Sequence, residues 1–308
     1  MNRSQRNAFV AAQWILALAV LWFAWRSLRG QWGEAAGGLQ DLQIGWSWVA
    51  GATVIVFLTY ALLIETWRRL LVAWSADLSF RTASRIWFIS NLGKYVPGKI
   101  WSIAAMSMMA RDHSVSPVAA AGSSILIQII SIAAGIGVVL VTGAQAVDRP
   151  WLAALIGGAM LASIAASPYV LPVVVRRTAR LFRREVTVPA LGSATIWGTF
   201  ASAALSWVVY GIAFQFFVRG VLGEAAGATT SYIAVYAASY IIGFLALFAP
   251  GGAVVREGAM VAGMLRLGLT SQADALTIAI ASRLWLTVVE LLPGLAHLAM
   301  RRGSSSTN

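Results

Sequence analysis

Two Pro-Gly steps carry the residues best placed to do chemistry. Lys94 and Lys99 bracket Pro97-Gly98, and they are the only lysines in 308 residues. The second step, Pro250-Gly251-Gly252, leads into Arg256-Glu257. A helix that starts just after Pro-Gly presents unpaired N–H groups and the positive end of its dipole, which favours an anion. Lysine and arginine beside such a start suit a phosphate or another anionic head group. Cations snorkelling at a membrane interface would give the same pattern. Arg283 and Glu290 form a third candidate. Seven residues apart, they share a helix face inside an otherwise apolar run. A charge at membrane depth costs about 2.5–3.5 kcal/mol on insertion scales. The two therefore mark either a functional path or a buried structural ion pair.

Other chemistry is thinly represented. There is no cysteine, so disulfides, thiolate metal sites and cysteine nucleophiles are excluded. No phosphate-binding P-loop, G-x-G-x-x-G, H-E-x-x-H or G-x-S-x-G string occurs. His113 and His297 stand apart, without metal-ligand spacing. No cofactor is expected, and no catalytic residue is assigned. Glu65 sits at helical spacing from Arg68 and Arg69 and reads as a surface pair. Asp112-His113 reads as a polar turn before Pro117.

The elements that must position these residues are membrane helices. Apolar residues make up 59% of the chain and charged ones 11%. A soluble domain carries roughly a quarter charged residues, so lipid must solvate much of this surface. The net charge of +12 comes almost wholly from arginine, placed in short segments between apolar runs. That placement orients helices in a membrane and argues against nucleic acid, which needs a basic face. Runs long enough to span occupy 8–28, 46–64, 118–142, 150–174, 192–218, 230–249 and 272–299. Two shorter stretches, 85–110 and 252–267, contain or follow the Pro-Gly steps and read as re-entrant or broken helices. The run 8–28 follows Arg3 and Arg6 and is longer than a cleavable signal sequence needs, so it reads as an uncleaved first span.

Arginine-rich segments set the expected orientation. Segment 65–117 holds Arg68, Arg69, Arg81, Arg85 and Arg111 besides the lysines, and segment 175–186 holds Arg176, Arg177, Arg180, Arg183 and Arg184. By the positive-inside rule both face the cytoplasm, and counting spans back puts the N-terminus there too. If 252–267 also crosses, there are eight spans and Arg301 and Arg302 are cytoplasmic. If it only dips in, they lie outside.

Tyr95-Val96-Pro97-Gly98 is echoed by Phe248-Ala249-Pro250-Gly251, 153 residues on, about half the chain. Each copy runs into a short apolar helix and then a long span. Duplicated halves with broken helices in matching places point to a transporter-type site between them. The expected architecture is thus an all-α polytopic membrane protein with about seven to eight transmembrane helices. It has re-entrant or broken helices and a pseudo-symmetric internal duplication. Residues 1–302 form one domain, with halves of roughly 1–154 and 155–302, and 303–308 is a polar tail.

The string Asn91-Leu92-Gly93-Lys94-Tyr95-Val96-Pro97-Gly98-Lys99-Ile100-Trp101 resembles the first signature of the lysylphosphatidylglycerol synthase transmembrane region, also called the flippase-like domain family. Ala249-Pro250-Gly251-Gly252-Ala253-Val254-Val255-Arg256-Glu257-Gly258 resembles the second, with Ala253 where a glycine is usual. The resemblance implies movement of lipids between leaflets, without the soluble aminoacyl-transferase part. On that basis the expected substrate is an anionic or zwitterionic lipid, or a lipid-linked molecule, in the cytoplasmic membrane. The expected substrate-binding residues are Lys94, Pro97, Gly98, Lys99, Pro250, Gly251, Gly252, Arg256, Glu257, Arg283 and Glu290. A separate lipid-modifying transferase would be a natural partner. The alternatives are an integral-membrane transferase acting on a lipid-linked sugar and an accessory protein of envelope biogenesis.

Overall fold

The computed structural model describes residues 43–74, 76–95, 101–144, 150–181, 191–246 and 254–304. The first apolar run and both Pro-Gly steps lie outside them. All regular structure among the described residues is helical: α1 (Trp46–Ala73), α2 (Phe80–Asn91), a 3-10 turn (Leu92–Tyr95), α3 (Trp101–Arg111), α4 (Pro117–Thr142), α5 (Pro150–Leu181), α6 (Ser193–Leu222), α7 (Thr229–Leu245), α8 (Val255–Arg266) and α9 (Gln272–Ser304).

Local chemistry sets the helix ends. Ser79 caps α2 by accepting from the Thr82 amide at 3.2 Å, and Pro117 opens α4 at a position where its missing N–H costs nothing. Gly223 closes α6 with φ +82°, a left-handed cap that side chains resist. At the start of α9 the Asp274 amide donates to Ser271 Oγ at 3.2 Å, and Ser271 Oγ donates to the Asp274 carboxylate at 2.7 Å.

Four helical stretches among the described residues are long and apolar enough to cross a membrane: Trp46–Ala73, Ala119–Thr142, Ser193–Leu222 and Gln272–Gly294. Ala153–Ala166, part of the 32-residue α5, and Thr229–Leu245 are shorter apolar helical stretches. The run 230–249 reads as a full span in the sequence, but its helix stops at Leu245 after 17 residues, short of the roughly 20 a span requires. The outer faces are apolar. Leu58 is 63% exposed and Val141 79%, which suits lipid rather than water. Hydroxyls inside the helices bond back to their own backbone, as Thr59 does to the Ile55 carbonyl and Thr66 to the Leu62 carbonyl.

Side-chain contacts fix how the helices run. The Gly45 amide donates to the Gly220 carbonyl at 2.8 Å, so the start of α1 meets the end of α6 and the two are antiparallel. At the other end of α1, Trp67 Nε1 donates to Ser123 Oγ at 2.9 Å and Trp74 lies against Gly122, placing the start of α4 there. Thr53 meets Trp285 and Tyr60 meets Glu290, so α1 and α9 run parallel. Gly243 faces Arg256, and Gly263 faces Val235. Helices α7 and α8 are thus the arms of a hairpin. Leu269, just past α8, packs on Gly227, just before α7, so the hairpin begins and ends at the same end of the bundle.

Candidate functional site

The buried charges gather where that hairpin meets α9. Arg256, in the first turn of α8, is only 7% exposed. Its guanidinium lies over the rings of Tyr240 and Tyr236, 5.0 and 5.5 Å from their centroids. These tyrosines are four residues apart on α7 and so share a face. Each cation–π contact contributes roughly 0.5–2 kcal/mol, more as water is excluded. Gly243, one turn further along α7, makes the approach possible. A Cβ there would stand 2.6 Å from the Arg256 Cβ, closer than packed carbons tolerate. The Nη2 group of Arg256 is buried with no hydrogen-bond partner.

Glu257, the next residue, reaches α9. Its Oε1 lies 3.4 Å from Arg283 Nη1, while its Oε2 is buried without a partner. Met260 and Ser282 pin the same two helices one turn on, with Ser282 Oγ 3.6 Å from the thioether sulfur. Two turns along α9 from Arg283, the Glu290 carboxylate accepts from the Tyr60 hydroxyl at 3.0 Å. Trp285 sits between them. It stacks on Phe217 at 4.5 Å and donates to Thr53 Oγ1 at 2.9 Å, holding α9 against α1 and α6.

A continuous run of rings joins these groups. Tyr60 packs edge-on against Phe88 and Tyr210, Tyr210 stacks on Tyr236, and Tyr240 packs on Trp207. Tyr60 lies at the middle of α1, and Arg283 at the middle of Gln272–Gly294. The cluster therefore sits at mid-height in the bundle, where unpaired charge is most costly. Two arginines and two glutamates placed there can hold a polar or charged group that lipid would reject.

Of the residues expected from sequence, the fold brings Arg256, Glu257 and Arg283 into one cluster, with Glu290 two turns along. Lys94 falls in the 3-10 turn, whose Leu92 packs on Gly294 of α9, one turn past Glu290. Pro97, Gly98, Lys99, Pro250, Gly251 and Gly252 lie outside the described residues. Glu65 pairs with both Arg68 and Arg69, at 2.7 and 2.9 Å, at the far end of α1. A cavity of about 170 Å³ lined by Leu222, Glu224, Ala226, Leu269, Thr270 and Asp274 lies at the end of the bundle, away from the cluster. Among the described residues no group of His, Asp and Glu is gathered to hold a metal ion.

The tyrosines and Gly243 escape a reading of sequence alone. Tyr236 and Tyr240 carry a faint signal in their four-residue spacing. Tyr60 carries none, because its partner is 230 positions away.

An all-helical bundle with an apolar outside and an ionic centre at mid-height is a multi-pass membrane protein. The chain matches the family model of the lysylphosphatidylglycerol synthase TM region over residues 9–294, nearly its whole length. It belongs to that family. No curated relative matches it.

Proposed function

We propose that this protein moves a lipid, or a lipid-linked molecule, with an anionic or zwitterionic head group across the cytoplasmic membrane. The observation that carries this reading is the mid-height cluster of Arg256, Glu257, Arg283 and Glu290, with a donor on Arg256 and an acceptor on Glu257 both buried and unused. Structural ion pairs satisfy their own atoms. An open position on a cation and another on a carboxylate within one cluster support its reading as a place for a polar ligand. Lys94 and Lys99, with Pro97-Gly98 and Pro250-Gly251-Gly252, would form the rest of the path. Substrates enter from the bilayer, and a separate transferase that modifies the lipid is the natural partner.

The architecture we propose is two inverted halves with α5 between them. Three observations support it. Helices α1 to α4 and α6 to α9 follow the same order of long, short, short, long. In each half a serine of the closing long helix donates to a methionine sulfur of the preceding short one, Ser124 to Met106 and Ser282 to Met260. In each half a glycine near the first break abuts the start of the next helix, Gly93 against Ser102 and Gly243 against Arg256. We take the arginine-rich segments and the N-terminus as cytoplasmic, and the hairpin that returns to its own end supports the same side for Arg301 and Arg302.

The test is transbilayer movement of head-group-labelled lipids in proteoliposomes of the purified full chain. Wild type should move an anionic or zwitterionic lipid, and Arg256→Gln should abolish that movement while eluting as a folded protein. Equal rates in the two would remove this cluster from the mechanism.

A further inference from the structure

Arg85, on α2, is a half-buried arginine that lies outside the cluster. Arg68 and Arg69 pair with Glu65, Arg283 meets Glu257, Arg219 lies over Trp48, and Arg256 lies over Tyr236 and Tyr240. No ion pair, hydrogen bond or ring contact joins Arg85 to another described residue, and its Nε is buried with no partner.

The fold gives that open cation a context. Trp87 packs on Trp67 and Phe88 on Tyr60, so this part of α2 lies along α1 between its middle and the end that carries Trp74. Arg81, Arg85 and Phe88, at spacings of four and three, form one stripe of α2. Arg81 is exposed near the helix start, at the end of the bundle that holds the arginine-rich segments. Phe88 is buried against Tyr60, whose hydroxyl donates to Glu290. The stripe therefore runs from the surface of that end to the edge of the mid-height cluster, with Arg85 between. Side chains lean toward the start of their helix, so Arg85 leans toward the end from which a head group would come. Snorkelling accounts for a cation at Arg81. It does not account for the Nε of Arg85, a donor buried one turn deeper, which costs free energy until an acceptor arrives. The forked donors of a guanidinium match the oxygens of a phosphate.

We infer that Arg85 is the docking point at which a phosphodiester head group of a lipid leaves the arginine-rich end and starts along α2 toward Arg256. This rests on the reading of the Arg256 cluster as a head-group site. Arg85 acts before that site is filled, so it speeds arrival and does not set affinity there. A positive charge facing the approach raises arrival rates about tenfold or more.

The experiment uses the full-length chain and two readouts. Movement of fluorescent phosphatidylglycerol in proteoliposomes reads the path, and equilibrium binding of dihexanoyl phosphatidylglycerol in detergent reads the Arg256 site. Arg85→Gln should slow movement about tenfold and leave binding unchanged, whereas Arg256→Gln should remove both. Arg85→Lys should keep most of the rate. Arg85→Cys, in a chain with no other thiol, should be as slow as Arg85→Gln. Aminoethyl methanethiosulfonate, added before reconstitution to restore a positive charge, should return the rate, and the neutral methyl reagent should not. That rescue also shows that the slow variant is folded. An unchanged rate in Arg85→Gln, or equal rescue by the neutral reagent, would overturn the docking point and leave the Arg256 site standing. Loss of binding in Arg85→Gln as complete as in Arg256→Gln would place Arg85 inside that site and overturn the separate step. Excess dimethyl phosphate, the phosphodiester without acyl chains, should not slow wild type. Slowing that Arg85→Gln abolishes would make this a soluble-anion site and overturn the lipid assignment. Binding and movement that Arg256→Gln leaves untouched would overturn the head-group reading itself, and the docking point with it.

Discussion

Replacing Arg283 and Glu257 one at a time and then together separates their joint contribution from the penalty of stranding either one. Opposite unit charges 3.4 Å apart attract by about 5 kcal/mol at an effective dielectric of about 20. Most of that offsets the loss of water around both groups, so the pair adds little net stability. Removing one partner is different, because the other stays buried and unmatched at a cost of about 3–5 kcal/mol. The side chains of Arg283 and Glu257 are 26% and 18% exposed, which places the expected cost of Arg283→Met or Glu257→Gln at the lower end of that range. The double replacement should lie within about 1 kcal/mol of wild type, so with each single replacement costing about 3 kcal/mol the cycle should return a coupling of about 5 kcal/mol. Unfolding by SDS in mixed micelles, followed by tryptophan fluorescence, measures all four proteins. If each single replacement cost under about 0.5 kcal/mol, the charges would be solvated and the argument from burial would fail. The double variant should fold yet move no labelled lipid.

Tyr60→Phe deletes one donor to the Glu290 carboxylate and should destabilise by about 1–3 kcal/mol on the same SDS scale; no change would mean that water replaces the hydroxyl there. Gly243→Ala sets a methyl against the Arg256 backbone and should cost about 1–3 kcal/mol by overpacking, while weakening phosphatidylglycerol binding because the start of α8 must shift. Single cysteines at Ser4, Gly37 and Thr178 report orientation against a thiol-free background. An impermeant reagent in intact cells should label position 37 and spare 4 and 178, and the reverse pattern would invert the topology.

The class of this protein was legible in its composition, because lipid as a solvent leaves no other place for so many apolar residues. Arg283 and Glu290 were legible for the same reason, as charges inside an apolar run, and Arg256 and Glu257 stood out by following Pro250-Gly251-Gly252. Their partners were not legible. Arg283 reads naturally against Glu290, two turns away on its own helix, whereas the fold offers it Glu257 across the α8–α9 contact. Pairing between helices depends on which faces meet, and the spacing within one helix is silent about that. The tyrosines that surround Arg256 look like ordinary apolar-run aromatics until the hairpin folds back. The run 230–249 misled for a local reason: apolar composition continues past Leu245, but the helix does not.

Flipping of labelled lipid in proteoliposomes tests the central claim most directly. Vesicles holding the wild-type chain are loaded with fluorescent phosphatidylglycerol and, in parallel, with a labelled zwitterionic lipid. An impermeant reductant then reads how much label reaches the outer leaflet. The expected result is near-complete bleaching of at least one of the two with wild type, and protection of the inner leaflet with a folded Arg256→Gln protein. Inner-leaflet label that stays protected in wild-type vesicles for both lipids, as it does without protein, would contradict a head-group path through the Arg256 cluster.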